Sequence, residues 1–350
     1  LNFVFQKSAH PEKEMLFLSA MEILLASCGD YRDLWGEVNF QIAKTIYNRG
    51  KKYQKGSSEK YRWDNKKAKD ICENILSQKQ YLDTFTIDNC KALISNITEK
   101  SIAVSTEDVL IPGEASPALV SFQNFDSIYV RIIKSSYETF DFLQNEASQM
   151  IRENNQLDFR NVLYNKLQKL SPYKTMTFKL PKTTDYRKHS VEIILPELPL
   201  GQYIFLFSVN STFNYAENAV VYNFLSVSNI SYVNRTTKKG NQTYLVLNRV
   251  TGKPLKNIDV KPYFTSYDYR KRETQVKEGI PMITNSEGLV EINSKNERAG
   301  LIVEFINGND HLSTKNYQIQ NDQGRHLYNY NERERRDTKT AFFTDRAIYR

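Results

Sequence analysis

The stretch PALVSFQNFDSIYVRIIK, residues 117–134, decides the fold of this 350-residue chain. Its β-branched and aromatic residues alternate with polar ones, and Pro and Asn punctuate the apolar runs. Such short, alternating runs are typical of β-strands that bury one face. Together with similar runs around it they predict a β-sandwich from residue 99 to residue 226. These similar runs lie at residues 101–112, 175–180, 189–196 and 202–209.

Two regions have a helical period instead. Residues 137–170, inside the predicted sandwich, carry apolar residues at helical spacing, which predicts a helical pair inserted between its strands. Residues 1–98 show the same period in four segments, so we expect a helical domain built as two helix pairs with short connections. Asp64 precedes one of these segments and is expected to be its N-cap.

The rest of the chain returns to β-structure. Residues 227–322 contain strand-like runs separated by turn signals, among them Asn307-Gly308, and predict a second β-sandwich. Residues 323–350 begin with alternating charges, which are typical of a solvated linker, and end on what we interpret as the first strand of a further, truncated domain. A chain of this length has room for two or three domains of ~100 to 150 residues.

The net charge and the composition argue against some classes of function. The net charge of +8 results from 48 basic and 40 acidic residues, which is too weak over the whole chain to indicate nucleic acid. Residues 47–69 interleave Lys and Arg with Tyr and Trp, but without a nucleic-acid-binding fold we interpret them as a solvated loop whose aromatic residues pack on the helices. No apolar run is long enough for a membrane span, and the first residues do not resemble a signal peptide, so an export signal would precede residue 1.

Catalytic and metal-binding motifs are absent from the sequence. It contains no HExxH, GxSxG, P-loop or GxGxxG pattern, and its four histidines are scattered. We therefore expect no enzymatic activity, no cofactor and no metal site. Cys72 and Cys90 lie on the apolar faces of successive predicted helices. Two buried free thiols are the favoured interpretation, and a disulfide across the helix pair stays open if the Cα atoms lie within ~7 Å of each other.

The last residues, AFFTDRAIYR, resemble the opening of a macroglobulin-like β-sandwich domain of the alpha-2-macroglobulin family, whose motif is T-D-[KR]-x-x-Y-[KR]-P-G-Q. Thr344, Asp345, Arg346 and Tyr349 match this motif, and the sequence ends where Pro-Gly-Gln would follow. Earlier segments are similar to the bacterial branch of that family, and they occur in the same order. One of them, LPELPLGQYIFLFS at residues 195–208, resembles the closing strands of a preceding domain and supplies Gly201 and Tyr203.

A second segment, YLVLNRVTGKPLKNIDV at residues 244–260, resembles the family pattern V-x-D-x-x-T-G-x-P and supplies Thr251, Gly252 and Pro254. A T-x-x-x-G element follows and ends at Gly288. Glycine permits the tight turn, and proline fixes the chain that enters the next edge strand. Asn248 stands where the family more often has Asp.

The resemblance implies a multidomain fold of separate α and all-β parts. It consists of an amino-terminal helical hairpin array followed by two antiparallel, Ig-like macroglobulin sandwiches, the first with a helical insertion. The implied function is the amino-terminal scaffold of an endopeptidase inhibitor that traps proteases at the bacterial cell envelope, in the periplasm or on a membrane through a lipid anchor upstream. The trapping thioester and bait segment have no counterpart in these residues, so proteases would be bound through regions outside them. The alternative is an envelope interaction module that binds protein or glycan without inhibiting proteases.

Overall fold

A computed structural model describes residues 5, 9–56, 59–237, 241–268, 270, 273–293, 300–314 and 319–320. Their architecture is mixed, with α-helices followed by several antiparallel sheets and one further helical pair. Within these residues no helix combines the length and the apolarity needed to cross a bilayer. The family-motif residues Thr344, Asp345, Arg346 and Tyr349 lie outside the described residues, as does the predicted linker.

From residue 9 to residue 98, the described residues form an array of four helices. Apolar residues at helical spacing on three of the helices share one buried cluster, which includes Phe40, Cys72 and Leu93. A second cluster joins the first helix to the second through Phe17 and Val38. The helices are α1 Lys13–Ala26, α2 Arg32–Gly50, α3 Asp64–Ser77 and α4 Thr84–Thr98.

The start of α3 corrects one prediction. Asp64 is not the N-cap but the first helical residue, and the residue before it makes no side-chain cap. Its carboxylate instead accepts hydrogen bonds of 2.8 and 3.0 Å from Arg49 at the end of α2. A two-point ion pair to a guanidinium is stronger than a single hydrogen bond to a backbone amide. The carboxylate of Asp64 therefore pairs with Arg49 and does not cap the helix. Helix α4 does have an acidic cap, because Asp83 accepts from the amide of Thr86.

Two sheets form the first β-sandwich. One has the order β1-β3-β6 and the other β2-β8-β7-β4-β5. Their facing side chains build a core that includes Val120 and Phe122 from one sheet and Phe205 and Phe207 from the other. All pairings are antiparallel except that of β2 with β8, which departs from the predicted fully antiparallel sandwich because β2 is a two-residue edge strand running beside β8. The strands are β1 Ser101–Ser105, β2 Val109–Leu110, β3 Ser116–Gln123, β4 Ser127–Ser135, β5 Lys174–Lys179, β6 His189–Leu195, β7 Gly201–Ser208 and β8 Val220–Val227.

A helical pair, α5 Tyr137–Glu153 and α6 Phe159–Gln168, lies between β4 and β5 in the chain, as the sequence predicted. It covers the outer face of the five-stranded sheet, where Ile204 and Leu206 of β7 join a second core with Phe140 of α5. Strand β7 is therefore buried on both faces. Burial on both faces explains why its sequence is an almost unbroken apolar run and not an alternating one.

A second sheet pair follows. A three-stranded sheet of order β14-β10-β9 packs on a six-stranded sheet built around β11 and β15, and Tyr244, Val260 and Phe305 lie in the core between them. The predicted turn at Asn307-Gly308 is confirmed, because β15 and β16 pair antiparallel directly across it. The strands are β9 Ile230–Thr236, β10 Gln242–Asn248, β11 Asp259–Asp268, β12 Glu273–Glu278, β13 Met282–Ile283, β14 Leu289–Ile292, β15 Gly300–Asn307, β16 Asp310–Ser313 and β17 Ile319–Gln320.

Candidate functional site: two polar junctions

The motif residues Gly201 and Tyr203 form a corner at the start of β7. Tyr203 is fully buried in the first core, and its hydroxyl donates a 3.0 Å hydrogen bond to the carbonyl of Pro199, four residues upstream. Burial raises the pKa of this tyrosine. Such a corner fixes the direction in which the chain enters a core strand.

The structure also brings Thr251, Gly252, Pro254 and Gly288 together around strand β10. The side-chain oxygen of Asn248 accepts hydrogen bonds from the amide and the hydroxyl of Thr251, at 2.9 and 3.0 Å. An amide oxygen can therefore serve as the acceptor at this position, where the family more often has the carboxylate of Asp. Gly252 adopts φ of +68° and closes the turn on the carbonyl of Asn248, and Pro254 follows as a bridge to β10.

Gly288 is required by space as well as by conformation. Its φ is +72°, and a Cβ added there would lie 2.6 Å from the carbonyl oxygen of Val246. The carbonyl of Gly288 accepts the amide of Val246, so the two segments of the predicted motif are joined directly through β10. Any side chain at this position would push the strand away.

The helix-sandwich junction joins the helical array to residues 185–189, which comprise the end of the loop before β6 and the first residue of that strand. Arg187 in that loop donates hydrogen bonds to three backbone carbonyls at the other side, those of Gly50 at 2.9 Å, Tyr61 at 2.7 Å and Arg62 at 3.0 Å. Burial lowers the pKa of its guanidinium. One side chain thus satisfies three carbonyls around the connection between α2 and α3.

Asp185 is the second anchor of this junction. It is only 2% exposed, and its carboxylate contacts Nε of Arg62 at 3.0 Å, Nε2 of His189 at 2.8 Å and the amide of Arg187 at 3.2 Å. Burial alone would raise the pKa of Asp185, but the hydrogen bonds from His189 and Arg62 outweigh it and hold the pKa below its ordinary value. The junction is therefore held by charged groups that satisfy one another.

The aromatic rings of the basic segment at residues 47–69 lie close to cations of the segment itself and, for Tyr53, to Arg187 of this junction. A cation lies over each ring, at distances of 4.9 to 5.5 Å from the ring centre. These cation-π contacts account for the alternation of basic and aromatic residues within the protein itself. The pairs are Lys51 with Tyr47, Arg49 and Lys60 with Tyr61, Arg62 with Trp63, Arg187 with Tyr53, and Lys69 with Tyr186.

The sandwich-sandwich junction has a different chemistry. The hydroxyl of Tyr137, at the start of α5, lies 2.6 Å from the hydroxyl of Ser226 and accepts a 3.0 Å hydrogen bond from the amide of Ser313 in β16. Gln202 in β7 donates to the carbonyl of His311 at 2.8 Å. Burial raises the pKa of Tyr137, against the opposing effect of the bond to Ser226. These two hydrogen bonds from the first sandwich to the second, at Ser313 and His311, are made by neutral groups.

One buried carboxylate completes this junction. Asp310 accepts from the hydroxyl of Ser228 at 2.6 Å and from the amide of Asn229 at 2.9 Å, in the stretch that leads from β8 to β9. Arg249 donates to the carbonyls of Ser228 at 3.1 Å and Ile230 at 2.8 Å, and burial lowers the pKa of its guanidinium. The interdomain chain is consequently held on both sides.

Cys72 and Cys90 are both fully buried free thiols in the same helical cluster. A hydrogen bond with the Cys90 thiol, together with burial, raises the pKa of Cys72. Cys28 is also free and buried, against α1. The favoured interpretation of the sequence, buried thiols, matches this arrangement, and the disulfide stays a prediction.

The described residues contain no group of three or more His, Cys, Asp and Glu side chains arranged to hold a metal. His10 is exposed, His189 belongs to the helix-sandwich junction, and His311 packs edge to face against Tyr137. His326 lies outside the described residues. An open cavity of about 840 Å³ lies where α4 meets β1, lined by Lys100, Asn161 and Tyr215 among others. The polar chemistry described here for these residues is therefore that of the two junctions.

Sequence reasoning missed the residues of both junctions. Asp185 and Arg187 stand in a loop without periodicity, His189 begins β6, and Asp310 follows the turn at Asn307-Gly308. The single available signal was the spacing of Asp185, Arg187 and His189 at every second residue beside a strand, which places them on one side of the chain.

No family model matches this chain, and no curated protein matches it. Among solved structures, the native conformation of alpha-2-macroglobulin from E. coli is 13% identical, with a TM-score of 0.33, over 61% of this chain and 12% of that one. Trypsin-activated alpha-2-macroglobulin from Escherichia coli is 10% identical, with a TM-score of 0.24, over 62% of this chain and 15% of that one. Red sea bream transglutaminase is 8% identical, with a TM-score of 0.24, over 67% and 34%. This chain therefore spans between about an eighth and a third of those proteins, whose activities belong to much longer chains.

Proposed function

We propose that this chain is the amino-terminal scaffold of an alpha-2-macroglobulin-like endopeptidase inhibitor that traps proteases at the bacterial cell envelope. In this proposal the helical array and the two sandwiches supply geometry, and they carry no catalytic group and no cofactor. Proteases are captured by regions outside these residues, after export of the protein to the periplasm or the outer membrane.

Support for the family assignment comes from what the motif residues do. Gly201 and Tyr203 form the corner into the central strand, and Thr251, Gly252 and Gly288 converge on β10. These are the positions that the sequence resemblance singles out, and each has a physical task that the residue type explains. A generic sandwich sequence has no reason to hold all of them in this order.

The observation that carries the scaffold role is the pair of buried polar junctions. Arg187 and Asp185 tie the helical array to the first sandwich, and Tyr137 and Asp310 tie the first sandwich to the second. Domains of one chain usually move relative to one another. A network of buried polar groups whose hydrogen bonds are all satisfied makes the contact between them rigid. A trap needs such fixed walls around the captured enzyme.

The test uses the full-length protein that contains this chain. The protein is incubated with trypsin, and hydrolysis of casein and of a small chromogenic peptide is measured in parallel. We expect casein hydrolysis to fall about tenfold while peptide hydrolysis persists, because a cage excludes large substrates by steric clash. Equal loss of both activities would indicate an active-site inhibitor, and no loss of either would remove the proposed function.

The alternative, an interaction module, is favoured by an exposed aromatic patch on a sandwich face. Of the exposed aromatic side chains in the described part of the chain, Tyr267 alone lies in a strand, whereas Tyr81, Phe85 and Phe142 lie on or beside helices. The sheets thus offer little support for binding through a sandwich face. Tyr81 and Phe85, by contrast, both lie in the helical array.

A further inference from the structure

The helical array has two ends with opposite character. Arg49 at the end of α2 pairs with Asp64 at the start of α3, so the connection between these helices lies at the end that contacts the first sandwich. A Cβ added to Gly36 near the start of α2 would lie 2.5 Å from Leu82 in the connection between α3 and α4. The connections α1-α2 and α3-α4 therefore share the far end, about 28 Å away along the 19 residues of α2.

This far end, which we term the distal tip, exposes five large apolar side chains. They are Ile23 at 72%, Tyr31 at 74%, Leu34 at 41%, Tyr81 at 59% and Phe85 at 74% exposure. At about 200 Å² per side chain, they present roughly 600 Å² to solvent. This summed area approaches that of one side of a standard protein interface, about 800 Å² per partner.

The charges around the tip are mainly acidic. Residues 27–37 and 77–88 contain five carboxylates and two basic side chains, a net charge of −3. Residues 47–69, at the opposite end, contain nine basic and two acidic residues, a net charge of +7 out of the chain's +8. An apolar patch with an acidic border attracts a partner that combines apolar and basic groups.

We propose that the distal tip is a docking surface for an amphipathic helix whose polar face carries Lys and Arg. Aromatic side chains provide the buried centre of such an interface, and the carboxylates pair with the basic residues at its rim. An anionic bilayer is disfavoured because the acidic border repels it. A second copy docked tip to tip is disfavoured because it would bring two acidic borders together. The proposal is independent of protease trapping.

The test measures binding of a labelled amphipathic peptide of about 18 residues, made of Leu and Lys, to the full-length protein by fluorescence anisotropy. We expect saturable binding that weakens severalfold when salt is raised from ~50 to ~300 mM, since screening removes the attraction of the border. Phe85→Ser at the tip should weaken binding about tenfold, as expected for a central aromatic anchor. The matched control Phe142→Ser, 61% exposed on α5 and away from the tip, should leave binding unchanged.

Four outcomes would overturn the proposal. They are equal binding of a Leu and Glu peptide, equal effects of Phe85→Ser and Phe142→Ser, binding to phosphatidylglycerol vesicles that depends on Phe85, and self-association in sedimentation that depends on Phe85. The last two would assign the tip to a membrane or to a second copy. Both substitutions replace exposed residues, and unchanged thermal unfolding verifies that the variants are folded.

Discussion

The helix-sandwich junction and the sandwich-sandwich junction both hold neighbouring domains together, but through different polar groups. At the helix-sandwich junction, both residues in the loop are charged. The carboxylate of Asp185 pairs with Arg62 and His189, and the guanidinium of Arg187 donates to backbone carbonyls. At the sandwich-sandwich junction, the hydroxyl of Tyr137 and the amide of Gln202 make neutral hydrogen bonds beside the buried carboxylate of Asp310 and the guanidinium of Arg249. The difference follows from what each junction joins.

The connection between α2 and α3 brings three carbonyls close together, and a guanidinium with its planar set of donors contacts all of them, in addition to the backbone amides that Gly50 and Tyr61 accept. The two sandwiches meet through both neutral and charged groups, because Asp310 and Arg249 bond the chain between them beside Tyr137 and Gln202. The pKa of Asp185 at the first junction is lowered and that of Tyr137 at the second is raised, so these two groups respond to opposite ends of the pH range. Three experiments break or sharpen this contrast.

The largest effect is expected for Arg187→Met. It removes the donors to Gly50, Tyr61 and Arg62, and we expect the attachment of the helical array to weaken by roughly 3 kcal/mol. Hydrogen exchange of amides in α3 and α4 measures the loss. The exposed Arg160→Met on α6 is the matched control and should change nothing. Exchange that is identical in both variants would show that the guanidinium does not anchor the array.

A smaller effect is expected for Tyr137→Phe. The ring still fills its place, but the buried amide of Ser313 loses its acceptor and the hydroxyl of Ser226 loses its partner. We expect a loss of about 1 to 2 kcal/mol in the free energy of unfolding, measured by urea titration. Because the change is confined to the sandwich-sandwich junction, exchange in α3 should remain as in the unmodified protein. Faster exchange in α3 would mean that the junctions are not independent.

The smallest effect is the pH dependence of the two junctions. The pKa of Asp185 is below its ordinary 3.8, so its contribution is complete above that value and is lost as pH falls through the lower, folded pKa. The pKa of Tyr137 is above its ordinary 10.0, so its contribution is complete below that value and is lost as pH rises through the higher, folded pKa. Urea titrations at acidic and alkaline pH measure both.

Each pH effect has its own control. Asp185→Asn should flatten the acid dependence and leave the alkaline one, and Tyr137→Phe should do the reverse. A variant that flattens both, or neither, would contradict the assignment of one titrating group to each junction.

Much of the fold was predictable because it depends on local periods. The helical spacing at residues 137–170 predicted the inserted pair, which the structure places as α5 and α6 on the outer face of a sheet. The unbroken apolar run of β7 is the sequence trace of burial on both faces, and the turn at Asn307-Gly308 needed only its own residues. Periods and turns are encoded within about ten residues, so they can be read directly.

Most of the candidate site was not predictable because its partners are far apart in the chain. Arg187 meets Gly50 across 137 positions, and the amide of Ser313 meets Tyr137 across 176. Apart from the spacing of Asp185, Arg187 and His189 at every second residue, nothing nearby in the sequence distinguishes Arg187 from Lys188, which is exposed. Asp64 is the clearest example. Its position before a helical period predicted an N-cap, but its carboxylate pairs with Arg49 of the preceding helix.

By itself, the sequence determined where the helices and strands form, which turns need glycine, and that Cys72 and Cys90 lie on apolar helix faces. Only the tertiary structure decided which charges become buried, which hydroxyls bridge the sandwiches, and which end of the helical array remains apolar and exposed. The reason is physical. Hydrophobic periodicity is a property of neighbouring residues, whereas the pairing of a buried charge depends on what the fold brings beside it.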